Sequence, residues 1–156
     1  MRHINFRTAV NVVSEIVAEK GNDYVYPGSF YDNCQYWDRD EEEPSCLVGH
    51  FFYNTELISN EDDFLLIENS TSDQACTALK KWGRATFSPA AENFLYAAQN
   101  RQDAGWDWGR CVEFAYAAVR AIEDGDVENV HDAIQQTNHH DEHVRTASRG
   151  DWGWES

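Results

Sequence analysis

Apolar residues return at intervals of three and four along most of this chain, and the elements follow from where that rhythm starts and stops. Between Phe6 and Lys20, the residues Ala9, Val12, Val13, Ile16 and Val17 trace one stripe of an amphipathic helix, which Gly21 and Asn22 end. Tyr24, Val25 and Tyr26 favour extended backbone before a turn at Pro27 and Gly28. Cys34 to Trp37 form a second extended stretch, so a small β-hairpin-like element is expected near residues 24–37. Pro44 and Ser45 then read as the start of a helix carrying Cys46, Leu47, Val48, Phe51 and Phe52. Phe64 to Ile67 is an apolar run too short for its period to assign. Thr71 with Gln74 has the spacing of a capping box, opening a helix through Ala75, Ala78, Leu79 and Trp82 to Gly83.

Ser88 followed by Pro89 is the clearest helix start. The serine hydroxyl accepts from an otherwise orphaned amide, and proline at the first helical position gives up no needed hydrogen bond. Ala91, Phe94, Leu95 and Ala98 share one face of that helix. After Gly105, a second helix from about Asp107 carries Cys111, Val112, Phe114, Ala115, Ala118, Val119 and Ile122 towards Gly125. A tight connection makes the two an antiparallel helical hairpin. A further helix over Val127 to Gln136 buries Val130 and Ile134. The fold class is therefore mainly α within α+β: one acidic helical domain over residues 1–136, then a polar tail, 137–156, holding histidine and tryptophan. The chain shows no internal repeat.

Composition changes this picture in one respect. With 156 residues, 42% of them hydrophobic and 13% aromatic, the chain has the apolar content a packed core needs, which excludes intrinsic disorder. Its 28 acidic residues outnumber 12 basic ones, for a formal net charge of -16. Such a surface repels phosphate backbones and anionic lipid, which argues against direct nucleic-acid or membrane binding and favours a protein partner. The absence of a long apolar run or a signal-like amino terminus points to a cytoplasmic protein. Cys34, Cys46, Cys76 and Cys111 include no C-x-x-C pair and are expected to be reduced thiols.

Two local patterns stand out: Cys34-Gln-Tyr, an acidic loop and Pro44-Ser-Cys-Leu-Val-Gly49; then Gln99-Asn-Arg-Gln-Asp-Ala-Gly105 followed by Trp108-Gly109. In this order, over roughly residues 8–122, they resemble small uncharacterised proteins of actinobacterial phages and their hosts. The resemblance implies provenance and carries no catalytic residues. The acidic loop and the tail beyond Gln136 depart from the shared pattern.

Four groups of residues are candidates for chemistry. Cys46 stands just inside the expected helix start with His50 one turn on, the outline of a nucleophile and its base, but no third group orients them and a buried structural thiol is the plainer expectation. His139 and His143 share the four-residue spacing of metal ligands yet lack a rigid third ligand, so no resident metal or other cofactor is expected. Asp38, Asp40, Glu41, Glu42 and Glu43 alternate like a calcium loop, but Glu41 stands where the turn glycine belongs and Gly49 where the closing glutamate belongs. They read as a solvated acidic surface. Trp106 and Trp108, with Gln102, Asp103 and Asp107, form a polar and aromatic corner; Trp152 and Trp154 place two more rings in the tail.

The expected function is that of a non-enzymatic phage accessory protein that binds a host or phage protein through its acidic residues and tryptophans, including mimicry of nucleic acid. The rival readings are a cysteine-dependent hydrolase or transferase using Cys46, and a minor virion component.

Overall fold

The computed structural model describes residues 1–28 and 35–137. Its centre is the helical hairpin of α5 (Pro89–Asp103) and α6 (Trp108–Glu123), and α1 (Phe6–Lys20) lies against both. Phe6 fixes that crossing, its ring meeting Phe94 at 5.8 Å and Tyr116 at 5.6 Å between centroids. Each helix starts where a side-chain acceptor is available. Asn5 accepts from Thr8, Ser88 from Ala91 and Asp107 from Arg110, and Gly21 leaves α1 in the left-handed region at φ 101°. Among the described residues, the helices α3 (Glu61–Leu66) and α4 (Ser72–Lys81) and a helix over 130–137 complete the helical layer. At the Thr71 start of α4, Gln74 Oε1 accepts the Thr71 N–H at 3.0 Å, as its spacing implies. The unassigned apolar run falls on the end of α3, burying Phe64 and Ile67 while Leu66 stays exposed.

Among the described residues, two small sheets complete the α+β class. β1 (Arg2–Ile4) runs parallel to β4 (Ala85–Phe87), with Ile4 opposite Phe87, and ties the first helix to the lead-in of α5. The second sheet is the expected antiparallel element, displaced along the chain: β2 (Trp37–Asp38) pairs with β3 (Glu43–Pro44) and encloses the acidic residues. Val25 instead forms a lone bridge with Asp107, and Tyr24 O accepts the Trp108 N–H at 2.8 Å. The extended segment 24–26 is thus held by the start of α6. Pro44 correspondingly belongs to β3, and α2 (Leu47–Asn54) begins with Cys46 as its extended N-cap rather than as its first helical residue. The last helix starts at residue 130 rather than at Val127: residues 126–129 bend, Val127 is buried ahead of the helix, and Val130, Ala133 and Ile134 are buried along it.

Candidate functional site

The two sequence patterns, far apart along the chain, meet at the amino end of α2. A helix leaves four amides there without intrahelical partners, and in a buried end each must be satisfied from elsewhere. The Cys46 N–H donates to Gln35 O at 2.9 Å and the Gly49 N–H to Cys46 Sγ at 3.4 Å. The other two come from α5: Leu47 donates to Gln102 Oε1 at 2.8 Å and Val48 to Gln99 Oε1 at 3.2 Å. Gln102 is 0% exposed, and its Nε2 donates to Asp103 at 3.0 Å, so both ends of the buried amide are used. Gly49 completes the fit: a Cβ there would lie 2.2 Å from Tyr36 O. At the start of α6 the same logic recurs. Gly109 donates to Asn22 O at 2.9 Å, and a Cβ on it would lie 2.8 Å from that oxygen.

Cys46 and His50 occupy this joint. Cys46 is 0% exposed, with its sulfur accepting the Gly49 amide. The His50 ring places Nδ1 2.9 Å from the Cys46 carbonyl oxygen and packs edge-on to Trp108 at 5.5 Å. The imidazole is engaged with the backbone of Cys46 rather than with its thiol. Burial lowers the His50 pKa below its ordinary value, a shift partly opposed by that carbonyl contact. The thiols of Cys76 and Cys111 are pushed well up by burial and thereby held protonated. The geometry gives Cys46 the work of an N-cap.

The tryptophans of the corner separate. Trp108 is 0% exposed and belongs to the core, edge-on to Tyr24 at 4.6 Å, so it offers no contact surface. Trp106 is half-buried between the guanidinium carbons of Arg101 at 5.0 Å and Arg110 at 4.9 Å from its ring. Arg101 is itself buried, forking onto Asn100 Oδ1 at 2.7 and 3.1 Å. His139, His143, Trp152 and Trp154 lie outside the described residues. Among the described residues no group of three or more metal-ligating side chains converges.

The acidic residues form the other candidate site. Asp38 Oδ1 accepts the amides of Asp40 at 3.0 Å and Glu41 at 3.2 Å, and Glu42 takes φ 55°, so the β2–β3 turn is a structured knuckle. Asp40, Glu41, Glu42 and Glu43 are exposed on it. Its base is anchored by Trp37, which stacks on Phe64 at 5.1 Å and meets the exposed Tyr53 at 5.8 Å. Arg39 reaches Glu61 at 3.7 Å, away from the four carboxylates. Sequence reasoning found these acids but missed Trp37 and Tyr53 beneath them, because their convergence depends on α2 and α3 packing against the hairpin.

No protein-family model matches this chain, and no curated protein or solved structure does either. Among the described residues, no helix is long and apolar enough to cross a membrane.

Proposed function

We propose that the chain is a non-enzymatic accessory protein, phage-encoded or of a phage host, that binds a basic patch on a protein partner through the acidic knuckle at Asp40–Glu43 and the adjoining Tyr53. The observation that carries this reading is the mounting of four consecutive exposed carboxylates on a paired, Trp37-anchored turn. Holding the charges in place lowers the ordering cost of association and lets a complementary surface be recognised by register as well as by sign. The capping role of Cys46 and the backbone contact of His50 favour this class over a cysteine-dependent hydrolase or transferase.

The test is affinity capture from lysate with the full chain, with a variant carrying D40N, E41Q, E42Q and E43Q, and with a control losing the same charge at Glu15, Glu19, Glu123 and Glu128. The proposal expects a partner retained by the first and third and lost from the second. Equal loss from both variants would reduce the acidity to a bulk property, and capture by all three would place the contact elsewhere.

A further inference from the structure

The knuckle has a counterpart of opposite sign elsewhere on the chain. Lys80 and Lys81 close the last turn of α4, and Arg84 leads into β4. Pairing of β1 with β4 brings Arg2 beside them, its N–H donating to Arg84 O at 3.1 Å. Four of the chain's 12 basic residues thus gather at one corner of a protein whose net charge is -16. The helix macrodipole favours lysines at the end of α4, but it gives no reason for Arg2 to join them from another element. Trp82 adds a half-buried aromatic surface, with the Arg84 guanidinium carbon 5.2 Å from its ring centroid.

The charges of this corner are unequally committed. The Arg84 guanidinium is used by Asp63 at 2.6 Å and by Leu57 O at 3.1 Å, and that of Arg2 donates to Thr55 O. Lys80 and Lys81 are exposed, and among the described residues neither forms an ion pair, although Glu92 is near enough to Lys80 to feel its charge. Within one molecule α3 stands between corner and knuckle: Glu61 pairs with Arg39 on the knuckle side at 3.7 Å, and Asp63 with Arg84 on the corner side. Two exposed ammonium groups beside a tryptophan therefore match, in sign and in character, four exposed carboxylates beside the exposed Tyr53.

We propose that the basic corner is the docking site for the acidic knuckle of a second copy of this chain, with Lys80 and Lys81 meeting the Asp40–Glu43 carboxylates. This rests on the knuckle being a contact surface and names its partner. Because the two surfaces differ, the contact is heterologous, and its repetition links copies head to tail. The net charge of -16 on each copy opposes association only weakly at physiological ionic strength, where charges more than about 8 Å apart are largely screened and only those brought into contact count. A contact of this size and polarity is weak and reversible.

Sedimentation equilibrium of the full chain reads the contact directly. The weight-average mass should rise with concentration at physiological ionic strength and return to that of one chain at about 1 M salt, where the screening length falls to about 3 Å. E41K/E42K and K80E/K81E each set like charges against one another and should each weaken association about tenfold or more. Their equimolar mixture should regain it, because contacts between the two proteins again pair opposite signs. E123K/E128K has the same net charge as E41K/E42K and should associate as the parent does. These positions are all exposed, so the fold tolerates the changes. A parent that stays a single chain up to about 1 mM, equal weakening in E123K/E128K, or a mixture no more associated than its components would each overturn the proposal. Knuckle-dependent capture of a lysate partner by a parent of single-chain mass would overturn self-docking alone and leave the wider reading of the knuckle standing.

Discussion

The α2 joint and the acidic knuckle are neighbours along the chain and opposites in physics. At the joint, polar atoms are buried and every one of the four amino-terminal amides of α2 has an acceptor, two of them on α5 glutamines. At the knuckle, four carboxylates stand in water on a turn stabilised by Asp38 and Trp37. Buried polar groups must be answered from within the protein, so they specify its architecture. Exposed, unanswered charge of one sign costs little in water and is free to meet a partner. The motifs that drew attention in the sequence belong to the first kind.

If that contrast is correct, the largest loss comes from the joint's closest contact. Gly49→Ala drives a methyl group into Tyr36 O and should cost about 3 kcal/mol or prevent folding, measured as the fall in urea midpoint. Gln102→Leu keeps the volume but strands the buried Leu47 amide and the Asp103 contact, for a loss of about 2 kcal/mol. Gln99→Leu should cost less, about 1 kcal/mol, because the Val48 bond is longer. Neutralising Asp40 to Glu43 should leave stability within about 0.5 kcal/mol while abolishing partner capture. A joint variant without stability loss, or a knuckle variant that unfolds, would erase the distinction.

Titration sharpens it further. His50 has a folded pKa below its unfolded value near 6.5, so the unfolded chain takes up the proton first. Stability attributable to His50 is complete above about pH 6.5 and is lost as pH falls from there through the depressed folded value; in His50→Gln this slope should flatten. Asp63 behaves as a salt-bridged carboxylate, held down by the Arg84 guanidinium at 2.6 Å. Its contribution persists above its unfolded pKa and disappears only at lower pH, which separates the two windows. The smallest effect has the opposite sign. Burial and Asp73 raise the Glu92 pKa, so its ionisation weakens the fold as pH rises through the carboxylate range, and Glu92→Gln should raise the melting temperature by about 2 °C at neutral pH.

The elements legible in the sequence were those with local causes. Phe6–Lys20 carries its own apolar stripe, and Ser88, Thr71 and Asp107 mark the starts of α5, α4 and α6 from within three residues. The start of α2 was displaced because its caps come from glutamines 55 and 51 residues away, which no local pattern announces. The parallel pair β1–β4 was invisible for the same reason: three-residue strands have too little period to read, and their pairing spans the first half of the chain. The acids of the knuckle were plain; that Asp38 and Trp37 hold them in a fixed turn was not. Gln99 and Gln102 do carry a faint signal, two amides one turn apart on a helix that is apolar on either side.

Residue-resolved amide hydrogen exchange compares the two regions in one measurement. The Leu47 and Val48 amides, bonded to buried glutamines, should exchange only through global unfolding, whereas those of Glu42 and Glu43 on the exposed knuckle should exchange orders of magnitude faster through local opening. Comparable rates at Leu47, Val48 and the knuckle would contradict the account, because the joint would then not be the element that holds the fold together.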